Sequence, residues 1–269
     1  MMKRSTLLYF LVSLTLSSAL YAAAESAGPD LDELTDTARA TANDKASIPP
    51  CTVYNELNNG IRDGRIARSA AKTELTRILA AVRQEYYLRG GKDHPVSEWV
   101  FPVSGYDLHA IDGGRTHGFV TGGYDFFSGN LHGGHPALDI FIRDRNRDNL
   151  DDRTGKPVRV LSMTGGIVVA LEKDWEPSGK LRGGKYIWVY EPAGELLVYY
   201  AHNDQLLVEL GQVVKPGTPL ATIGRSGLNA ARRRSPTHLH LSVLKVIDGK
   251  PLPLDIYPTL RQSIKTVAK

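Results

Sequence analysis

Four of the eight histidines in this 269-residue sequence lie in three short segments whose residue types could support metal chemistry. One segment contains His135 and Asp139, the second ends at His202, and the third contains His238 and His240. His238 and His240 are two residues apart in a run typical of a β-strand, so their side chains point to the same face of a sheet. A single histidine of this kind is usually an ordinary core or surface residue. The combination predicts one shared metal site.

The first segment supplies a carboxylate to this predicted site. His135 and Asp139 are four residues apart, but Pro136 and the glycines before His135 disfavour a helix. His135 is therefore expected in a turn, with Asp139 at the start of a strand. Two imidazoles and one carboxylate suit a borderline divalent ion, for which zinc is the preferred choice. Three protein ligands leave a fourth coordination position for water, as catalysis requires.

Short β-type runs separated by Gly, Pro and Asp must position these residues. Their regular spacing favours an all-β sandwich or barrel, because each short strand needs neighbours to satisfy its backbone. Glycines punctuate residues 208–224 as in a compact series of hairpins, and this stretch resembles part of a barrel-sandwich hybrid, the architecture of lipoyl and biotinyl domains. A carrier function is disfavoured, since no lysine flanked by small residues or Met lies at a predicted turn. The predicted runs are 157–163, 166–172, 185–191, 195–201, 205–214, 219–224 and 238–246.

A helical region is predicted before the β-type runs. Between residues 66 and 88 apolar side chains recur mostly at a spacing of three to four, which places them near one helical face. The set is Ile66, Ala70, Leu75, Ile78, Leu79 and Val82. Residues 25–50 are rich in Ala, Asp, Thr and Pro and are expected to form a linker. The helical region could form a separate arm or cover part of the domain that carries these histidines. We expect it to cover part of their site, because a detached amphipathic helix would expose its apolar face to water.

The first residues indicate export. Residues 3 and 4 are basic, residues 7–16 are apolar, and residues 22–24 are alanines that form a small-residue cleavage pattern. The apolar run is too short for a comfortable membrane span, which needs about 20 residues. The sequence therefore predicts a signal peptide over residues 1–24, with a retained N-terminal anchor as the alternative. The mature chain is expected to begin near Glu25, in the periplasm or outside the cell, without a membrane span after cleavage.

Composition and charge add few constraints. Hydrophobic residues make up 42% and charged residues 23% of the chain, as in ordinary globular proteins. The net charge of +4 is compatible with an anionic cell wall but is too small to select a partner, and no nucleic acid partner is expected. Cys51 is the only cysteine, which excludes an intramolecular disulfide and a multi-cysteine zinc site. A surface thiol and a buried thiol are equally compatible with its context.

Two charged segments beside the histidines favour ordinary loops. Acidic and amide side chains crowd residues 144–152, where alternating oxygens can suit calcium, but the central Gly and terminal Glu of the full calcium-loop template are absent. A solvated turn is the favoured interpretation, with a structural calcium site as the alternative. The arginines at 232–234 are expected in a solvated loop. His94, His109, His117 and His132 are assigned no role, although His132 could line the groove.

The HxxxD and HxH segments, about a hundred residues apart, resemble those of the M23 family of zinc endopeptidases, the LytM and lysostaphin-like domains. The resemblance covers roughly residues 97–258. It implies that His135, Asp139 and His240 bind one Zn2+ per chain. Members of the family have an antiparallel β-sheet groove with the metal at its floor, and most cut peptide bonds of bacterial peptidoglycan.

The same resemblance assigns two catalytic histidines. The first His of HxH is catalytic in the family, which implies His238, and a further catalytic His lies in a Tyr-x-His segment, which Tyr200-Ala201-His202 matches. The implied fold is mainly β, an antiparallel groove of barrel-sandwich-hybrid type with a helical N-terminal region. The organisation predicted after the signal peptide is a linker and helical region over 25–96 and an M23-like zinc peptidase domain over 97–269.

The implied function is zinc-dependent hydrolysis of peptide bonds in peptidoglycan. Two departures leave the cleaved bond open: Leu241 replaces the usual aromatic residue after HxH, and residues 227–236 are longer than the compact turn common in the family. The alternative is a non-enzymatic LytM-like regulator that activates a separate wall hydrolase. The complete set of ligands and catalytic histidines argues against this alternative. The oligomeric state stays open.

Overall fold

The computed structural model describes residues 48–114 and 116–267. The signal peptide predicted over 1–24 and most of the predicted linker lie outside these residues. From Ile48 onward the chain forms one compact unit. No helix within the described ranges is long and apolar enough to cross a membrane.

The fold is dominated by antiparallel β-structure, as predicted. Nine strands form one sheet in the order β1-β10-β7-β6-β5-β8, in which β11 pairs with β10, and β9 pairs with both β4 and β7. Strands β2 and β3 form a separate two-stranded ladder. The strands are β1 (Leu138–Phe141), β2 (Leu150–Asp151), β3 (Lys156–Pro157), β4 (Arg159–Leu161), β5 (Gly166–Glu172), β6 (Lys185–Glu191), β7 (Leu196–Leu206), β8 (Val213–Val214), β9 (Pro219–Ile223), β10 (His238–Ile247) and β11 (Lys250–Pro253).

Both faces of the sheet are packed, and strand alternation determines which residues reach each face. Along β10, Leu239 and Leu241 enter one hydrophobic core, whereas Leu244 enters the other. His238 and His240 alternate with Leu239 and Leu241 and therefore share the face of Leu244. The predicted histidine pair thus lies on a single face, next to the second core.

Helices α1 (Pro50–Arg62) and α2 (Arg68–Leu88) cover part of this second face, and α3 (Tyr257–Val267) closes the described chain. Pro50 occupies the start of α1, where its fixed φ suits a helix and its missing N–H costs no hydrogen bond. Helix α2 confirms the predicted helical region, although Ala71 is buried where Ala70 was expected. The domain boundary predicted at residue 97 stays a prediction.

The sequence pattern overestimated one strand. Residues 205–214 were predicted as a single β-run, but β7 ends at Leu206 and β8 is only Val213–Val214. Between them the N–H of Gln212 donates to the carbonyl of Glu209 across a turn, and Gly211 has a φ of 77°. Glycine adopts this left-handed conformation without the steric cost that a Cβ would add, so the chain reverses there.

The contribution of α2 to stability can be measured with one matched pair of leucines. The side chain of Leu75 is 1% exposed in the second core, whereas Leu88 at the end of the same helix is 79% exposed. We expect Leu75→Ala to lower the free energy of unfolding by about 2–4 kcal/mol, because it removes buried methylene groups and leaves a cavity. Leu88→Ala should change it by less than about 0.5 kcal/mol. Urea denaturation of both variants checks this, and equal midpoints would contradict the packing of α2 on the sheet.

Candidate active site

The pairing of three strands brings the predicted site residues together. Strand β1 lies beside β10 with Asp139 opposite His240, and β7 lies on the other side of β10 with Ala201 opposite His240. His135 precedes β1 and pairs with Val120 in an isolated antiparallel bridge. Residues more than 60 positions apart in sequence therefore converge on one patch of the sheet.

The three predicted metal ligands form a compact donor set. The Oδ1 atom of Asp139 lies 3.3 Å from Nε2 of His135 and 3.1 Å from Nδ1 of His240. One ligand atom from each residue can be chosen so that all three lie within 4.8 Å of one another. The two imidazoles therefore use different ring nitrogens toward the carboxylate.

The ring nitrogens turned away from this centre have their own partners. Nδ1 of His135 lies 2.8 Å from the carbonyl oxygen of Gly118, to which it donates, and Nε2 of the same ring faces Asp139. Nε2 of His240 lies 3.4 Å from the Ser242 hydroxyl. Such outer partners orient imidazoles for metal binding. Two imidazoles and one carboxylate suit zinc and leave further coordination positions free, so these residues fit the predicted ion.

His202 and His238 lie next to this donor set but have a different hydrogen-bond arrangement. Their Nδ1 atoms donate to the carbonyl oxygens of Ser226 and Pro236, both at 2.8 Å. The two ring centroids are 4.9 Å apart, and the His202 ring is 5.5 Å from that of His240. Because Nδ1 carries the proton, Nε2 of each ring is an acceptor, the form that a general base requires.

A backbone irregularity brings His202 to this face. Leu197 and Ala201 lie in the second core, whereas Tyr200 lies in the first, so regular alternation would place His202 on the face of Tyr200. The register between β6 and β7 shifts at this point, with one extra residue in β7, and His202 has a φ of 67°. Such a bulge redirects the side chain. His202 therefore faces His238 instead of the first core.

Burial and the Asp139 carboxylate determine the protonation states of the site residues. Burial raises the pKa of Asp139, but hydrogen bonds from His135 and His240 outweigh it and hold the pKa far below its usual range. The bond to Asp139 raises the pKa of His135. Burial lowers the pKa of His240, and it lowers that of His202 well below the usual value. His202 is therefore neutral at pH 7.

A cavity of about 330 Å³ opens above these residues. Aromatic side chains form much of its wall, namely Tyr124, Phe126, Tyr186, Trp188 and Tyr199. Asn58, Ile61 and Arg62 of α1 also line it, whereas no residue of α2 does. The N-terminal region thus reaches the cavity through α1, a helix that the sequence analysis missed. The helical spacing of the buried residues Tyr54, Leu57 and Ile61 could have revealed it.

In the acidic loop beside the site, Asp144 accepts hydrogen bonds from backbone N–H groups of the same loop. Asp144 accepts hydrogen bonds from the N–H groups of Asp148 and Asn149 at 3.1 and 2.9 Å, and from the hydroxyl of Thr237 at 2.6 Å. Among the described residues, no cation-binding group of three is found apart from His135, Asp139 and His240. These hydrogen bonds show that Asp144 stabilises the turn, and the structural calcium site stays an alternative prediction. The bond to Thr237 also anchors the residue that precedes His238.

The structure also gives the environments of two residues, His132 and Cys51, that the sequence had left open. His132 lines the cavity, as anticipated, and burial lowers its pKa. Cys51 is buried, which decides between the two alternatives left open for it, and burial raises its pKa to about 12, so the thiol stays protonated. The sequence did not reveal the carbonyl oxygens that orient His202 and His238. Every residue has a backbone carbonyl, so residue type does not indicate which of them accepts these hydrogen bonds.

A sequence comparison decides the family. Residues 149–253 match the model of peptidase family M23. This stretch is an M23 peptidase domain. The match contains His202, His238 and His240, whereas His135 and Asp139 lie just before it. The family resemblance stated from the sequence is therefore confirmed, while the roles of the individual residues stay predictions.

Solved structures of related proteins give partial matches. Lysostaphin from Staphylococcus simulans is 22% identical with a TM-score of 0.35, over 54% of this chain and 49% of that one. A putative glycyl-glycine endopeptidase LytM from Ruminococcus gnavus is 23% identical with a TM-score of 0.42, over 82% and 84% of the two chains. LytU is 25% identical with a TM-score of 0.36, over 49% and 76%. The match to the first of these spans about half of that protein. No curated protein matches the chain.

Proposed function

We propose that this chain is a zinc-dependent endopeptidase that hydrolyses peptide bonds of bacterial cell-wall peptidoglycan. The observation that carries the proposal is the convergence of His135, Asp139 and His240 with the acceptor nitrogens of His202 and His238 in one cavity. The M23 domain supports peptide hydrolysis. Peptidoglycan as substrate and zinc as cofactor are the finer parts of this proposal.

The three ligands would hold the ion at the floor of the cavity. When bound there, zinc supplies a Lewis acid that polarises a peptide carbonyl and makes water nucleophilic near neutral pH. The aromatic walls exclude water and pack against a peptide chain. An extended peptide above the sheet would place its scissile bond over the histidines.

His202 and His238 perform the proton transfers. Their Nε2 atoms are acceptors, and the low pKa of His202 keeps it in the basic form. One Nε2 accepts a proton from the attacking water, after which the N–H can donate to the departing amine. The other Nε2 takes a proton from solvent and then donates a hydrogen bond to the developing oxyanion. The carbonyls of Ser226 and Pro236 hold both rings in place during these steps.

The proposal is tested by digesting purified peptidoglycan with the chain, with and without a chelator, and after zinc is added back. Mass spectrometry should show new amine and carboxyl ends that disappear with the chelator and return with zinc. His109→Ala is a matched control, because this imidazole is 96% exposed and lies outside the cavity. Zinc-loaded protein that produces no new ends would contradict the proposal and favour the non-enzymatic regulator.

We also propose that the chain is exported to the periplasm or the medium, because residues 1–24 have the pattern of a signal peptide. N-terminal sequencing should find a mature protein that begins near Glu25. Protein retained in the cytoplasm with Met1 intact would contradict export.

A further inference from the structure

The catalytic cavity has an excess of positive charge at neutral pH. Its lining contains two guanidinium groups, Arg62 and Arg182, and a single carboxylate, Asp139. That carboxylate is committed to His135 and His240. A bound peptide therefore meets two guanidinium groups and no carboxylate of the lining that is free to pair with them.

The two arginines differ in their partners. Nη1 of Arg62 lies 2.9 Å from Glu172, and its Nε lies 2.8 Å from Asp63, so two carboxylates compensate its charge. Nη1 of Arg182 donates only to the backbone carbonyl of His132, at 2.7 Å. Within residues 48–114 and 116–267, Arg182 forms no ion pair. Its charge therefore remains available to a ligand.

The position of Arg182 couples it to the site. The next residue, Gly183, accepts a hydrogen bond at 3.0 Å from the backbone N–H of His202, and the bond to His132 ties the guanidinium to the segment that leads to His135. Nη1 is held by this carbonyl, whereas Nη2 and Nε form no hydrogen bond within residues 48–114 and 116–267 and can donate to a ligand. A planar guanidinium with two free donors is the group that best recognises a carboxylate.

We propose that Arg182 binds a free carboxylate of the substrate, so that the M23 domain selects acidic peptides over otherwise identical amidated ones. This inference rests on the proposed peptidase function and adds a substrate class to it. If Arg182 only holds the segment around His132 in place, Arg182→Met should lower kcat/KM equally for acidic and amidated peptides. Carboxylate recognition predicts a larger fall in kcat/KM for the acidic peptides than for the amidated ones.

The test uses synthetic wall-type peptides that differ only in one carboxyl group near the scissile bond, present as the free acid or as the primary amide. With the native chain, the acid form should be cleaved with a kcat/KM about ten-fold or more above that of the amide, mainly through KM. Arg182→Met should remove this preference, so that its kcat/KM for the acid form falls to about its kcat/KM for the amide. Arg182→Lys should retain part of it, because the charge remains and the planar fork is lost. Lys180→Met is the matched control, since it removes an exposed cation of the same segment that does not line the cavity.

Equal cleavage of both peptides by the native chain, or a preference that persists in Arg182→Met, would overturn the inference. Calorimetric binding of the same peptides to zinc-loaded chain provides a second measurement. If neither peptide is cleaved, the proposed function fails, yet a ten-fold tighter binding of the acid form that is lost in Arg182→Met would still support carboxylate recognition. Equal binding of both forms would overturn it. Circular dichroism of each variant verifies that it folds.

Discussion

Replacing His240 with alanine is expected to abolish zinc binding and peptidase activity together. The change leaves one imidazole and one carboxylate, a donor set too small to hold zinc tightly. His238→Ala should behave differently, because His135, Asp139 and His240 remain. We expect it to retain one zinc per chain and to lose activity by about a hundred-fold or more, since a proton-transfer or oxyanion group is removed. His202→Ala should resemble His238→Ala.

Elemental analysis of bound zinc, together with the cleavage rate of each variant, tests whether zinc binding and activity are lost separately. His109→Ala serves again as the exposed control and should retain both zinc and activity. The geometry motivates the expected split, since Nδ1 of His240 is 3.1 Å from Asp139, whereas Nε2 of His238 is 3.8 Å away. Loss of zinc from His238→Ala with retention in His240→Ala would reverse the ligand assignment. A parent protein without zinc would refute the metal hypothesis.

Gly184→Ala is expected to inactivate the enzyme without removing zinc. Gly184 has a φ of 62°, and a Cβ there would lie 2.3 Å from backbone atoms of both Ser226 and Gly227. Since the carbonyl of Ser226 orients His202, this segment must shift and carry the imidazole with it. Misplacement of a catalytic group by about 1 Å can lower the rate about a hundred-fold. We also expect a loss of about 2–4 kcal/mol in the free energy of unfolding.

Gly217→Ala is the control for backbone conformation alone. Gly217 has a φ of 84°, but a Cβ there would meet no atom within 4 Å. It should lower the free energy of unfolding by about 1 kcal/mol and leave activity unchanged. Thermal unfolding, bound zinc and cleavage rate of the two variants give the comparison. A Gly184→Ala enzyme with native activity would show that the Ser226 carbonyl does not determine the position of His202.

The sequence revealed most of the architecture because local periodicity survives in the folded chain. The β-type runs, the helix of residues 68–88 and the common face of His238 and His240 all follow from spacing alone. Helix α1 was missed because the segment around Pro50 reads as a linker in composition, although proline suits the first turn of a helix. The run at 205–214 was predicted too long because apolar residues also line turns between short strands.

Several features could be determined from the sequence alone, because they depend on residue types at short spacings. They include the five residues of the site, their suitability for zinc and the β-rich surroundings. Only the tertiary structure decided that Asp139 lies opposite His240, because the pairing of strands distant in sequence depends on how the whole sheet packs. Alternation would have placed His202 in the first core, and the extra residue in β7 with its positive φ turns it into the cavity. The tertiary structure also decided that Arg182 has no ion-pair partner among the described residues, since ion pairing depends on the neighbours that the fold brings together.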